Sequence, residues 1–424
     1  MNATFKNVLF WSIISAAFIG PGTVTTASKA GASFGLSLLW ALVFSTLATM
    51  VLQEAAARIT IASGKNLGEI IAQKYSGAGG LRLKWLLFLA VAFGCAAYQA
   101  GNMLGAVSGV ALVWEVDARI ITAVLGILCA GLLWIGNLTI IARVLGLVVA
   151  LMGIAFIVVA VQADVSSVEV LQNAVVPSFP EGSSLLVIGL IGTTIVPYNL
   201  FLASGISPGQ QIKDMRQGII GAVLIGGMIS MAIMVVGTQV QGVFSFEALA
   251  VALSTKLGAW GAVFFGIGLF AAGMSSSITS PLAAAVTAKS LFGDQANWAA
   301  SSGRFKGVWA VILGIGLLFG VSGIKPIPVI ILAQAINGAL LPIVAVFLIL
   351  MVNDKSILSK KHLNTSLLNV VSLLIVGITG FLGMNNMLKA IANAVPAVSN
   401  WQMEGALAVA FAVTIGLGIK IFKT

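Results

Sequence analysis

About twelve stretches of this chain stay apolar for long enough to cross a lipid bilayer, and no other feature constrains its fold as much. A helix needs about 20 such residues to span the hydrocarbon. The stretches lie near residues 8–31, 35–57, 85–113, 120–137, 140–162, 184–205, 217–240, 257–288, 307–323, 327–352, 365–388 and 404–421. In lipid a backbone N–H or C=O finds no water, so each segment must pair its own groups as a helix. Hydrophobic residues make up 59% of the chain and charged ones 8%, against roughly 45–50% and about 25% in soluble domains. So few charges cannot cover a soluble globule of 424 residues. The chain reads as an all-α integral membrane protein.

The loop charges orient it. With the first residues placed inside, 17 of the 22 Lys and Arg residues fall in inner loops. Only Lys29, Arg119, Lys256, Lys325 and Lys389 fall outside. Acids lean the other way, with Glu115, Asp117, Asp164, Glu169, Glu181, Glu247 and Glu404 outside. This is the positive-inside pattern, and a missed span would spoil it. We therefore expect a multi-pass protein of the plasma membrane with both termini cytoplasmic. The net charge of +10 comes from residues scattered between apolar runs, which argues against nucleic acid as a partner. Cys95 and Cys129 lie in apolar segments and read as neither disulfide nor thiolate ligands. The N-terminal segment has no small-residue cleavage signature, so we read no cleaved signal peptide.

Residues 163–183 form the longest polar gap between early spans and separate the first five from the next five. Spans one and six, at the head of each set, are both interrupted: Gly20-Pro21-Gly22-Thr23 and Val196-Pro197-Tyr198-Asn199. Proline removes a helical hydrogen bond and clashes with the preceding turn, so each helix should unwind there. Matched breaks in two halves point to an inverted-repeat transporter with its site at the bilayer midplane. The expected organisation is a first repeat over 1–163, an outer loop over 164–183, a second repeat over 184–352, and two added helices over 353–424.

Several motifs carry a resemblance. Gly20-Pro21-Gly22, Gln53-Glu54-Ala55-Ala56-Ala57-Arg58, Pro197-Tyr198-Asn199-Leu200-Phe201-Leu202, the run Gly268–Thr279, and Gln334 with Leu341-Pro342 are similar to the NRAMP family, in order from about residue 8 to 352. The resemblance implies five-plus-five inverted repeats with discontinuous helices one and six, and proton-coupled uptake of divalent metals such as manganese and iron. It also implies where ligands should sit. Typical members read Asp-Pro-Gly-Asn in span one, where this chain has Gly20 and Thr23. They read Met-Pro-His-Asn in span six, where it has Val196 and Tyr198. Thr193 matches the residue whose carbonyl binds metal.

No acid lies at mid-depth in any span, and bringing a divalent ion there without an anionic partner is costly. Transition-metal selectivity rests on ligand type. Proton coupling is weakened too, because the sole histidine, His362, lies in an inner loop. Spans three and nine offer Gln99, Asn102 and Trp309, none of which titrates at ordinary pH. What remains at the breaks is Gly20, Gly22, Thr23, Thr193, Thr194, Val196, Tyr198, Asn199 and Gln334, our candidate substrate site. The glycines let a ligand approach the backbone, and exposed N–H groups at the second half-helices favour a carboxylate. Sodium sites in this architecture pair span-eight hydroxyls with span-one carbonyls, so Ser276 and Ser277 are candidates for a coupling ion. Two cargoes stand open: a divalent metal by resemblance, and a small polar organic solute by local chemistry. We expect no cofactor and no enzymatic activity, since no buried His, Lys or Asp stands ready to activate the span-eight serines. Gly101, Gly105 and Gly109 read as close helix contact.

Overall fold

The computed structural model describes residues 19–136, 139–293, 297–394 and 402–423. Among them, eleven helices are long and apolar enough to cross a membrane. With span one, of which Pro21–Phe34 is described, these match the twelve expected. The first half of span one, expected over 8–18, lies outside the described residues.

Spans two to five are Leu39–Ser63, Gly77–Ala111, Ala118–Ile135 and Thr139–Val161. Span six is Ser184–Thr194 followed by Pro197–Ile206, and span seven is Ile212–Gly237. Spans eight to twelve are Trp260–Phe292, Gly303–Val321, Pro326–Val352, Ser366–Ala394 and Gln402–Lys423. Three shorter helices, Leu67–Lys74, Ser167–Val175 and Phe246–Leu257, lie in segments expected as loops. Span three also starts at Gly77, eight residues before the apolar run begins. Its first turns carry Arg82 and Lys84, which an apolar count discards but a helix leaving the membrane accommodates.

Spans one, two, six, seven, eight and ten form the buried interior, while Ile127, Trp134 and Val161 are among the large apolar side chains facing outward. Small residues set the inner spacing. A Cβ on Gly31 would meet the Met234 carbonyl at 2.1 Å, and one on Gly237 the Ser28 carbonyl at 2.4 Å, so spans one and seven touch backbone to backbone. Gly192 and Gly338 do the same for spans six and ten. The glycines of span three each meet a different partner: Gly101 faces Ile330, Gly105 faces Pro21, and Gly109 faces Phe270 and Gly266. The stripe therefore holds spans ten, one and eight together.

The two ends of the molecule are tied differently. At one end Trp40 donates to the Ser178 carbonyl at 2.9 Å, and its ring packs on Phe179. Lys389 there donates to Ser184 at 2.8 Å. At the other, which we call the basic face, Glu54 takes Arg58 at 3.0 Å and Arg216 at 2.8 Å. Arg58 also donates to the His362 carbonyl and to Asn364, so span two, span seven and the loop after span ten meet in one network. The short helix Leu67–Lys74 begins with a reciprocal cap, in which Asn66 accepts from the Glu69 N–H and Glu69 from that of Asn66. It ends at Lys74, which pairs with Asp354.

The Arg58 side chain is 2% exposed and that of Arg216 50%. Glu54→Ala leaves a buried guanidinium without its carboxylate and should destabilise the protein by about 3 kcal/mol or more. Arg216→Ala should cost no more than about 1 kcal/mol, as exposed pairs do. Unfolding in detergent, followed by tryptophan fluorescence, checks both; equal losses would show that Arg58 does not depend on Glu54.

Candidate functional site

Each half of the site begins where a helix cannot continue. Gly20 is extended, with φ −111° and ψ −176°, and the helix starts at Pro21. In span six, Ile195 and Val196 leave helical geometry, with ψ of 84° and 123°, and the second half starts at Pro197. A proline at the first helical position has no N–H to leave unpaired. The carbonyls ending the first half-helix are the harder problem, since no later turn supplies donors. Side chains from other spans supply them. Tyr98 donates its hydroxyl to the Gly192 carbonyl at 2.9 Å, and the Thr49 hydroxyl, bonded chiefly to the Ser45 carbonyl of its own helix at 2.7 Å, also lies 3.3 Å from the Thr194 carbonyl. Among the described side chains, none donates to the carbonyl between them, that of Thr193.

The two breaks meet. The hydroxyls of Thr23 and Thr193 lie 2.8 Å apart, both fully buried, across 170 residues of sequence. The Tyr198 ring stands edge-on to Tyr98, with centroids 5.9 Å apart. Its hydroxyl is buried without a hydrogen-bond partner, as are both polar atoms of the Asn199 amide. Thr194 turns away from the break, its hydroxyl donating back to the Leu190 carbonyl at 3.0 Å. Val196 is buried and brings only apolar surface to the break.

One expectation changes. We expected Gly20 and Gly22 to present open backbone to a ligand, but protein groups stand against both. A Cβ on Gly22 would lie 2.1 Å from the Gln334 amide nitrogen, so Gln334 of span ten covers this glycine. A Cβ on Gly20 would lie 3.1 Å from the Ser276 hydroxyl and 3.9 Å from the Asn102 amide oxygen. Pro21 between them is seated against Gly105. The Gly-Pro-Gly segment is thus closed over by neutral polar side chains from spans three, eight and ten.

Ser276 therefore sits beside the span-one break. Ser277 has a buried hydroxyl without a partner, and its carbonyl accepts from Gln99 at 3.3 Å. Sequence reasoning named Gln99 and Asn102 as polar but did not place them in the site, and it missed Tyr98 and Thr49. Tyr98, Gln99 and Asn102 fall at i, i+1 and i+4 in an apolar helix, one polar face that periodicity could have shown. The unpartnered atoms around the breaks include Asn102 Nδ2, Gln99 Oε1, Ser277 Oγ, Tyr198 Oη, the Asn199 amide and Gln334 Oε1. Among the described residues, no three His, Cys, Asp or Glu side chains come together. The site offers neutral donors and acceptors.

A family model described as natural resistance-associated macrophage protein-like matches residues 12–389. The chain belongs to the NRAMP family. Its relatives include the divalent metal cation transporter MntH of Acidiphilium cryptum, 28% identical over 305 residues covering 66% of this chain and 70% of that one. MntH of Deinococcus radiodurans is 27% identical over 303 residues, covering 66% and 68%. A mutant of the Eremococcus coleocola manganese transporter superposes with a TM-score of 0.74 at 17% identity, covering 97% of this chain and 94% of the other. Mhp1, a nucleobase-cation-symport-1 family transporter crystallised in a closed conformation with bromovinylhydantoin, superposes at 0.57 and 15% identity, covering 98% and 93%. These two likenesses establish the fold. This NRAMP protein is a membrane transporter, not an enzyme.

The Thr23–Thr193 bond joins the two repeats inside the membrane, so its removal should be measurable without any ligand. Thr23→Val and Thr193→Val should each cost about 1 kcal/mol. The double variant should cost less than their sum, with a coupling of at least about 0.5 kcal/mol. Additive losses in a detergent unfolding cycle would show that the hydroxyls act separately.

Proposed function

We propose that this chain works by alternating access about its two breaks, with 1–163 and 184–352 as the moving repeats and a divalent metal ion of the Mn²⁺ or Fe²⁺ kind as cargo. The observation that carries this reading is the meeting of the breaks at Thr23 and Thr193, beside a Thr193 carbonyl to which no described side chain donates. Family membership and relatives named as divalent metal cation transporters support the cargo. Gly20, Thr23 and Val196 stand where the resemblance places carboxylate, amide and thioether. The ion would therefore rest on neutral oxygens: the Thr193 carbonyl, the Thr23 hydroxyl, and the Asn199 and Gln334 amides. Such a set lacks the charge that hard cations favour, so binding should be far weaker than micromolar. The excess of basic residues on the Arg58 face supports cytoplasmic termini.

A specific observation favours a second cargo. Asn102 Nδ2 and Asn199 Nδ2 are buried donors without acceptors, and a cation cannot use them. A small polar organic solute, such as an amino acid or another carboxylate, can. Its carboxylate would lie against Gly20–Thr23 once Gln334 moves off Gly22, with Tyr198 as a contact. In either reading Ser276 and Ser277, beside the Gly20 break, would hold the coupling ion, and Na⁺ suits hydroxyl and carbonyl oxygens better than a proton does.

Uptake into proteoliposomes separates the cargoes when Mn²⁺ is offered beside a panel of amino and organic acids, with Na⁺ and pH gradients varied independently. Mn²⁺ uptake that saturates only well above the micromolar range is the expected result. Uptake of a panel acid without Mn²⁺ uptake would replace it with the second cargo. Tyr198→Phe removes a hydroxyl that the fold leaves unpaired, so stability should hold. An organic solute bound through that hydroxyl should then bind roughly tenfold more weakly, the loss of one hydrogen bond to a charged group being about 1.5–3 kcal/mol, whereas a metal should not respond. Ser277→Ala should abolish sodium dependence in a folded protein; uptake driven by pH and indifferent to sodium rejects the ion assignment.

A further inference from the structure

One face of span one leads from its break to the Ser178 end of the molecule. Gly22, Thr26, Lys29 and Ser33 fall at i, i+4, i+7 and i+11 of the helix Pro21–Phe34, so they share that face. Gly31 lies on the opposite side, against the Met234 carbonyl of span seven. Accessibility rises along the face: Gly22 and Thr26 are buried, Lys29 is half-buried and Ser33 is exposed. Its inner part meets the seam between spans six and ten, where Gln334 covers Gly22 and the Thr26 methyl stands against Gly189. The hydroxyls of Thr25 and Thr26 are buried there without a hydrogen-bond partner. Leaving such groups unpaired is costly, and water or a passing solute would satisfy them.

Lys29 is the one charged side chain of Pro21–Phe34. Seven helical residues place it about 10 Å along the axis from Gly22. Its ammonium stands 5.8 Å from the centre of the Phe244 ring. An aromatic face holds an ammonium in place but leaves its charge intact. The three ion pairs among the described residues all lie on the basic face, so none involves Lys29. Glu247, three residues beyond Phe244, is exposed and does not pair with it. A charge of one sign beside a narrow, low-dielectric cleft concentrates ions of the opposite sign and repels its own.

We propose that Lys29 selects by charge what reaches the breaks from the Ser178 side, favouring solutes that present a carboxylate or other anionic group and penalising cations. The inference rests on the breaks being the transport site, but not on which cargo is carried. An anionic group held at Lys29 next meets the Thr26 and Thr25 hydroxyls as donors, and then Gly20–Thr23 once Gln334 moves off Gly22. A divalent metal takes the same route against the field of an unpaired ammonium, which slows its entry.

The test places a cysteine on the inner part of the face. The native Cys95 and Cys129 are buried, so the unmodified chain serves as the blank. The purified full chain carrying Thr26→Cys is treated with methanethiosulfonates of opposite charge, sulfonatoethyl and trimethylammonioethyl, and labelling rates are read by mass spectrometry. Replacing Lys29→Gln should lower the anionic-to-cationic rate ratio at least about fivefold, whereas Lys29→Arg should keep it. Arg119→Gln, the same charge change at the exposed start of span four, should leave the ratio unmoved. Melting temperatures confirm that each variant folds. A ratio indifferent to Lys29→Gln, or shifted as much by Arg119→Gln, would overturn the charge selection while leaving the path in place. If neither reagent reaches Thr26→Cys although both label Ser33→Cys, no path runs along this face, and the transport-site reading fails with the proposal.

Discussion

Everything distinctive about this molecule follows from two places where backbone leaves helical geometry inside a membrane. A carbonyl without a donor in an apolar medium costs several kcal/mol, so a broken span persists only if other spans supply partners. For span six Tyr98 from span three serves the Gly192 carbonyl, and the Thr49 hydroxyl of span two, shared with its own Ser45 carbonyl, reaches the Thr194 carbonyl at a longer 3.3 Å. Both donors come from outside the second repeat. The break is therefore a property of the assembled bundle, and the repeats cannot part without either carrying these donors along or exposing the carbonyls to water or cargo. The Thr193 carbonyl, lying between the two that are served, is where that exchange can begin.

The glycines explain how the breaks come so close to their neighbours. Gly22 accepts the Gln334 amide at a distance that no Cβ would permit, and Gly105 does the same for Pro21. Because Gln334, Asn102 and Ser276 are neutral, covering the Gly-Pro-Gly segment involves no buried charge. A carboxylate at position 20 would have to displace the Ser276 hydroxyl and would carry a much larger desolvation cost unless an ion accompanied it. The neutral set thus favours a site that closes readily without cargo. A charged set would make closure depend on the ion.

Much of this was legible in the sequence. The span count, the matched interruptions and the family could be read because they are local: apolar length, Gly-Pro-Gly, Pro197-Tyr198-Asn199. The residues that make the breaks tenable could not. Tyr98 and Thr49 reach carbonyls 94 and 145 residues away, and a tyrosine in an apolar helix looks like packing. Nor could the covering of Gly22 by Gln334 be read, since a glycine in sequence signals close approach without saying by what. The helices Ser167–Val175 and Phe246–Leu257 are too short to cross a bilayer, so apolar length does not reveal them whatever their stability.

The two ends of the bundle differ in the kind of contact that opening must break. On the Ser178 side the ties are an indole N–H to a carbonyl and a lysine to a serine hydroxyl. On the basic face they reach farther in sequence: the Arg58 guanidinium donates to the His362 carbonyl and the Asn364 amide oxygen, and Lys74 forms an ion pair with Asp354. Hydrogen bonds as accessible as these, the lysine one exposed, exchange for bonds to water with little change in free energy. Withdrawing the buried Arg58 from the loop is costlier unless water follows it, because two of its donors lose their acceptors together. Glu54 moderates that cost: it lies on the same helix, one turn from Arg58, and remains its partner whichever way the loop moves. The pair can therefore travel with span two as a unit of reduced charge, leaving the loop contacts as the part of the network that opening breaks.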